Sequence, residues 1–164
     1  MSVHRLLGPV FLALAFAAPH SVAAQTPAPA APNSLAAQTN GYFTAVLHAD
    51  ASTLSGDVSS AFHVIQHDGT RLTYADFMRN VTKDALAMGS PMGVNVKITS
   101  SNEAGSQATE TVETLTWWYG ADSGDPMEGP VTSQSYATHQ LTWTKSPAGT
   151  WLLDEDHITA FRSS

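Results

Sequence analysis

The last part of the chain constrains its fold more than any other segment. Residues 141–161 contain two runs of β-branched and aromatic residues on either side of a Ser-Pro-Ala-Gly turn at 146–149. Two such runs around a turn of this composition predict a β-hairpin. Each run carries a tryptophan, Trp143 or Trp151, and the second continues into the acidic stretch 154–156. The sequence therefore predicts a closing hairpin that covers a core with aromatic residues and brings polar groups to one face.

The first 24 residues are predicted to be a secretory signal peptide. A weakly basic start is followed by an apolar run from Leu6 to Ala18, and Val22 and Ala24 are the small residues that a signal peptidase reads. The apolar run is shorter than the roughly 20 residues that a transmembrane helix needs. We therefore expect cleavage after Ala24, a periplasmic or secreted protein, and no membrane attachment once the signal is removed.

Residues 25–33 are predicted to be a Pro/Ala-rich linker, and residues 34–162 a single domain. The chain has no cysteine, so no disulfide can crosslink it and no thiolate can act as a nucleophile. The domain must therefore be stabilised by packing. The formal net charge of the whole chain, −7 at pH 7, argues against nucleic acid and anionic membrane surfaces as partners.

Helical patterns precede a series of β-type runs. Apolar residues recur at three- and four-residue steps from Leu35 to about Asp50, and again in a helix that opens with Thr-Tyr-Ala-Asp at 73–76, a capping-box variant. One strand is predicted between these helices, at 59–67, and four strands follow them, at 94–101, 107–119, 131–145 and 150–161. This order predicts an α+β fold in which helices pack on one face of a curved antiparallel sheet.

The chain resembles the nuclear transport factor 2-like (NTF2-like) superfamily, and within it the SnoaL-like cyclases and the ketosteroid isomerases. The resemblance covers residues 34–162 and rests on four stretches, at 42–50, 62–69, 73–77 and 143–157. It implies a cone-shaped domain in which a curved antiparallel sheet wraps around N-terminal helices and leaves a pocket at the open end. Many members are homodimers through the outer sheet face, which implies a homodimer here. Members include isomerases, cyclases, dehydratases and binding proteins, so the fold does not by itself select a function.

One departure from the isomerase pattern bears on chemistry. The pattern has a tyrosine eight residues before an aspartate in the first helix, as Tyr42 and Asp50 are here. It then has an aspartate base three residues before a glycine, where this chain has Gln66 before Gly69. A carboxamide cannot carry a proton between carbons. The second acid of the pattern falls near His139.

The register of the closing hairpin decides which side chains face each other. A four-residue turn pairs Lys145 with Thr150, and counting back from this pair sets His139 opposite Asp156. Directly opposed residues have Cβ atoms about 4.5–5.5 Å apart. A register that differs by one residue would bring His157 inside instead.

His139 and Asp156 are therefore candidate catalytic residues, together with Tyr42. A carboxylate beside an imidazole orients the ring and leaves its other nitrogen to act as a base, and a tyrosine hydroxyl can donate a hydrogen bond into the same space. The alternative is that His139 only satisfies a structural hydrogen bond and that the acidic stretch is solvated. Strand alternation and the resemblance give the predicted pocket residues as Phe62, Val64, Gln66, Leu141, Trp143, Asp154, His157 and Ile158.

No metal ion or other cofactor is expected. His63 and His67 stand four residues apart, but on a strand that spacing separates them by roughly 13 Å, and no recognised ligand spacing occurs.

At the end of the long strand, Trp117, Trp118 and Tyr119 alternate in direction. At least one of them points outward and is predicted to lie in a dimer interface or at a pocket rim.

The sequence leaves three functions open. The first is an exported domain that binds a small apolar molecule without catalysis. The second is an isomerase, cyclase or hydrolyase that acts by acid/base chemistry through His139, Asp156 and Tyr42. The third is a non-catalytic dimerisation module. Gln66 in place of an acid slightly favours the first over the second, and nothing in the sequence identifies a ligand.

Overall fold

The computed structural model describes residues 34–88, 91–119 and 132–163. The predicted signal peptide at 1–24 and the predicted linker at 25–33 lie outside these residues. The helices in the described part are α1 (Leu35–Leu47), α2 (Ala51–Asp57) and α3 (Tyr74–Met88). The strands are β1 (Val58–Ile65), β2 (Arg71–Thr73), β3 (Pro91–Ala104), β4 (Gln107–Tyr119), β5 (Thr132–Lys145) and β6 (Trp151–Ser163).

These strands form one sheet in the order β2-β1-β6-β5-β4-β3. The sheet is curved and open, and the helices pack against it, so the predicted α+β class is confirmed. Every pair of neighbouring strands is antiparallel except β1 and β6, which run parallel and make the sheet mixed. The sequence does not predict this parallel pair, because no hairpin turn joins two strands so far apart in the chain.

The first helix begins at a capping serine. Ser34 Oγ accepts a hydrogen bond from the backbone N–H of Ala37 at 3.2 Å. This bond satisfies one of the donors that a helix N-terminus leaves free. The buried side chains of α1, which turn one face of the helix to the sheet, are Leu35, Thr39, Tyr42, Phe43 and Ala45.

The third helix begins at the predicted capping box. Thr73 is the last residue of β2, and its hydroxyl oxygen accepts a hydrogen bond from the backbone N–H of Asp76 at 3.3 Å. The same hydroxyl donates to the Asp76 carboxylate at 2.8 Å. The sequence pattern at 73–76 therefore does cap the helix, with Asp in the place of Glu. Phe77, one turn further on, packs its ring against that of Phe62, with centroids 5.8 Å apart, and fixes α3 against β1.

The core lies between the helices and the inner face of the sheet. Burial of each large apolar side chain contributes about 1.5–3 kcal/mol relative to leaving it in water. In a chain without cysteine, this burial has to hold the fold together. Its largest fully buried side chains include Trp143, Tyr42, Leu54, Leu141, Leu153 and Val64.

Candidate functional site

A buried polar network joins α1 to the last two strands. The hydroxyl of Tyr42 donates a hydrogen bond to Asp156 Oδ2 at 2.9 Å, and Nδ1 of His139 lies 2.8 Å from Asp156 Oδ1. The side chains of His139 and Asp156 are 9% and 4% exposed. The structure thus brings together the three candidate catalytic residues of the sequence analysis. Their catalytic role stays a prediction.

The imidazole of His139 has a partner on each ring nitrogen. The Asp156 carboxylate can only accept, so Nδ1 carries the hydrogen that it donates. Nε2 lies 3.2 Å from the hydroxyl oxygen of Thr114, which can donate to it in this tautomer. The ring of Phe43 packs edge-on against the imidazole, with centroids 4.8 Å apart. For His139 to take a proton from another molecule, Thr114 would have to release Nε2.

Tyr42 is held in its protonated form. Burial raises the pKa of its hydroxyl well above the ordinary value, and the neighbouring Asp156 carboxylate raises it further. Near neutral pH the hydroxyl is therefore a hydrogen-bond donor to Asp156 and does not carry charge.

The closing hairpin has a different register from the predicted one. Lys145 pairs with Trp151 and not with Thr150, so the predicted register is wrong by one residue. The reason is the turn itself. Gly149 adopts a φ of 86°, and its N–H bonds to the Ser146 carbonyl at 2.8 Å. A glycine in this left-handed region closes a three-residue hairpin loop, which shifts the pairing beyond it.

A β-bulge on β6 brings Asp156 back to the same face of the sheet as His139 despite this shift. A register shift of one residue would by itself turn Asp156 away from His139. The pairing shifts again at Asp154, the extra residue on β6, which restores the original face. The two network residues are then diagonal neighbours across the β5–β6 pair. The prediction that Asp154 shares their face is wrong, because its carboxylate lies on the outer side and accepts a hydrogen bond from Thr144.

The other predicted pocket residues do not form a pocket around the network. Gln66 belongs to the turn after β1, where its backbone N–H bonds to the Thr70 carbonyl at 2.8 Å. His157 follows Asp156 on the strand and so faces the outer side. The remaining residues belong to the core cluster or pack against it, namely Phe62, Val64, Leu141, Trp143 and Ile158.

Two adjoining hollows lie on the far side of Phe43 from the network, where β4 and β6 end and β5 begins. A cavity of about 160 Å³ lies between α1, α3 and the sheet. A second, wider hollow of about 640 Å³ adjoins it, and Asp84 and Trp118 line both. Phe43 lines the smaller cavity and contacts His139, so its ring separates that cavity from the imidazole.

The wall of the smaller cavity is largely apolar. Its sheet side consists of Val94, Thr116 and Trp118. Its helix side consists of Phe43, Val46, Leu47, Val81, Asp84 and Ala85.

Residues 34–88, 91–119 and 132–163 contain neither a metal-ligand cluster nor a membrane-spanning helix. No three His, Asp or Glu side chains there converge as ligands for a metal ion. No helix there has both the length and the apolar character that crossing a membrane requires.

Comparison by sequence finds no relative, because no protein-family model and no curated protein matches the chain. Comparison by structure gives a ketosteroid isomerase-like protein from Erwinia carotovora atroseptica, with a TM-score of 0.60, 13% identity, and coverage of 76% of this chain and 91% of that chain. An NTF2-like protein from Cytophaga hutchinsonii has a TM-score of 0.58 and 14% identity, with 75% and 92% covered. An NTF2-like superfamily protein from Salmonella enterica has a TM-score of 0.57 and 16% identity, with 74% and 84% covered. The chain has the NTF2-like fold.

Within the NTF2-like fold, the two adjacent tryptophans of β4 lie on opposite faces of the sheet. Trp118 faces inward and lines both hollows, whereas Trp117 lies on the outer face beside Gly93. Sequence reasoning missed the cavity wall formed by Asp84 and the residues around it. The apolar faces of α1 and α3 were the available signal, because a helix packs such a face against the rest of the domain.

Proposed function

We propose that this chain is an exported domain that binds a small, largely apolar molecule in the cavity beside Phe43. The observation that carries the proposal is the cavity itself, which has a volume of about 160 Å³ and an apolar wall. An apolar cavity of about 150 Å³ is large enough to hold benzene. The adjoining hollow of about 640 Å³ offers a route from solvent and room for a polar group.

The polar network supports binding rather than acid/base catalysis. A general base must lie within hydrogen-bond reach of the proton that it abstracts, directly or through one water. Both nitrogens of His139 are bonded inside the protein, and Phe43 stands between the imidazole and the cavity. An acid/base isomerase, cyclase or hydrolyase is the alternative, and the ketosteroid isomerase-like structural neighbour supports the isomerase. It requires Thr114 and Phe43 to move.

Filling the cavity tests the proposal. Ala85→Trp places an indole in the cavity, whereas Thr82→Trp places the same side chain at an exposed position of the same helix. A ligand that binds only the folded state raises its melting temperature by mass action. We expect toluene, cyclohexanone or indole to raise the Tm of the wild type and of Thr82→Trp, but not that of Ala85→Trp.

Circular dichroism of both variants without added compound checks that they fold. The proposal is wrong if none of the three compounds raises the wild-type Tm, or if Ala85→Trp responds as the wild type does. The first of these results would leave a non-catalytic dimerisation module as the better description.

Export is part of the same proposal and is supported by the apolar run Leu6–Ala18 followed by Val22 and Ala24. The test is the intact mass of the protein recovered from the periplasm of a Gram-negative host that expresses the full chain. We expect a chain that begins at Gln25. Ala24→Asp should remain uncleaved, and Ala23→Ser should be processed as the wild type is. Uncleaved wild-type protein in the cytoplasm would contradict export.

We also infer that the domain forms a homodimer through the outer face of its sheet. The inference is supported by the resemblance to NTF2-like homodimers and by a hollow of about 380 Å³ whose wall includes the outward-facing Tyr136 and Thr138. Sedimentation should give twice the monomer mass for the wild type and for the surface control Thr82→Glu, and the monomer mass for Thr138→Glu. A monomeric wild type would overturn the inference.

A further inference from the structure

Charge is unevenly distributed around the two adjoining hollows. Asp84 lines both of them, and every other described residue that lines them is uncharged. In the part of the chain that the structure describes, no Lys, Arg or His forms an ion pair with the Asp84 carboxylate. The carboxylate therefore presents its charge at the opening of the cavity.

Trp118 stands at the same opening and also lines both hollows. The face of an indole attracts cations through its ring quadrupole, and a carboxylate forms charge-assisted hydrogen bonds with N–H donors. Further in, Phe43, Val46 and Val81 make the wall apolar. A ligand that satisfies both regions has a positive charge at one end and an apolar group at the other.

We propose that the ligand is an amphipathic organic cation, with its ammonium group between Asp84 and Trp118 and its apolar group in the cavity beside Phe43. This inference rests on the function proposed above and names the chemical class of its ligand. The volume of about 160 Å³ limits the apolar group to roughly one six-membered ring. A short spacer then carries the ammonium group back to the opening.

Charge elsewhere in the chain favours a cation over an anion. The formal net charge is −7 at pH 7. A negative field raises the local concentration of cations and their rate of encounter. An anionic ligand would instead be repelled by the Asp84 carboxylate at the opening.

Three probes of nearly equal shape separate the effect of charge from that of apolar contact: 2-phenylethylamine, 2-phenylethanol and phenylacetate. Their affinities are measured by isothermal titration calorimetry on the purified protein at neutral pH and low salt. We expect the amine to bind the wild type about five- to tenfold more tightly than the alcohol, since a partly exposed carboxylate and an indole each add a modest attraction. Phenylacetate should bind most weakly.

Asp84→Asn should bring the affinity of the amine down to that of the alcohol and leave the alcohol unchanged. Asp68→Asn, which removes a carboxylate from the exposed turn after β1, is the matched control and should keep the preference for the amine. Added salt should reduce that preference in the wild type.

The two proposals fail in distinguishable ways. Equal binding of amine and alcohol to the wild type, or a preference for the amine that survives Asp84→Asn, overturns the assignment of a cation but leaves the binding function standing. Failure of the amine, the alcohol, toluene and indole to bind the wild type overturns both.

Discussion

Nδ1 of His139 lies 2.8 Å from Oδ1 of Asp156, although the two residues are not paired directly across β5 and β6. The other oxygen of the same carboxylate accepts the Tyr42 hydroxyl at 2.9 Å. One buried carboxylate therefore connects α1 to two strands of the sheet. Because a buried charge without partners is costly, the imidazole and the phenol are what make this carboxylate tolerable in the core.

The tautomer of His139 should depend on Asp156. In the wild type the neutral ring carries its hydrogen on Nδ1, and Nε2 accepts from Thr114. In Asp156→Asn the side-chain amide can donate to Nδ1 while its oxygen still accepts from Tyr42. We expect the ring hydrogen to move to Nε2, a change that long-range ¹H–¹⁵N spectra of the imidazole detect.

Asp154→Asn, on the outer face two residues away, is the control for this change and should leave the tautomer as it is. Asp156→Ala leaves both the imidazole and the phenol without their acceptor. It should lower the free energy of unfolding by about 3 kcal/mol, more than Asp156→Asn does. Identical nitrogen shifts of His139 in the wild type and in Asp156→Asn would contradict the assigned hydrogen bonds.

Tyr42 should make the fold sensitive to alkaline pH. Burial, and then Asp156, raise its pKa well above that of an unfolded tyrosine. Above about pH 10 the unfolded chain loses this proton while the folded chain keeps it. The stabilisation from Tyr42 is therefore complete below that pH. Above it, the free energy of unfolding should fall by about 1.4 kcal/mol per pH unit on account of this group.

Urea unfolding of Tyr42→Phe across the alkaline range measures this effect. At about pH 8 the variant should be less stable by about 1.5–3 kcal/mol, the usual contribution of a hydrogen bond to a charged group. It should lack the alkaline slope, so the two stability curves converge as pH rises. Tyr74→Phe removes a hydroxyl that bonds the Ala51 carbonyl at the surface and should keep the slope. Parallel curves for the wild type and Tyr42→Phe would contradict the prediction.

How much the sequence could predict depends on whether a feature arises from neighbouring residues or from residues far apart in the chain. The long helices, the capping box at 73–76 and the alternating strands are local patterns, and the α+β class follows from their order. The approach of His139 to Asp156 depends on two departures from regular pairing, the glycine-closed turn and the bulge at Asp154. Each moves the register by one residue in the same direction, and a total shift of two residues leaves Asp156 on the same face as His139. The contact therefore occurs although the predicted register is wrong.

The cavity could not be predicted from the sequence for a different reason. Its walls come from α1, α3, β3 and β4, which meet only in the folded chain. Apolar residues such as Phe43 and Val81 give the same periodic signal whether they fill a core or line a cavity. Asp84 has no local pattern that marks it, since an acidic residue on a helix is ordinarily solvated.

Glu110 should make the folded state less stable as pH rises. The residue is 3% exposed on the inner face of β4 and hydrogen-bonds with Thr39 of α1. Burial raises the pKa of its carboxyl. The folded state then holds the proton more tightly than the unfolded state does. Its contribution to stability is full below the pKa of an unfolded glutamate, about 4.3, and is lost as pH rises through the raised value.

Glu110→Gln removes this titration and keeps both a donor and an acceptor for Thr39. The variant should be more stable than the wild type near neutral pH, and the difference should disappear below about pH 4, where both states of the wild type are protonated. Urea unfolding between these limits measures it. Glu113→Gln removes a carboxylate from an exposed position of the same strand and should give no such stabilisation near neutral pH. A stability difference for Glu110→Gln that does not change with pH would rule out the buried, proton-holding carboxyl.

Gly93 makes room for Trp117 on the outer face near the start of β3. A Cβ atom at this position would lie 2.5 Å from Cζ2 of Trp117, well inside the roughly 3.5–4.0 Å at which two carbon atoms attract each other. Gly93 is paired with Trp117 across β3 and β4, so the added methyl group and the indole belong to directly opposed residues. Gly93→Ala should therefore displace the indole and lower the free energy of unfolding by about 1–3 kcal/mol.

A double-mutant cycle attributes this cost to the contact with Trp117. In the Trp117→Ala background, Gly93→Ala meets no indole, so its cost should fall by about 1 kcal/mol or more, which is the coupling expected of two residues in contact. Gly41→Ala adds the same methyl group inside α1, where nothing lies within 4 Å of it. It should instead stabilise the protein by about 0.5–1 kcal/mol through helix propensity. If Gly93→Ala costs the same with and without the indole, the contact with Trp117 is not what requires a glycine at this position.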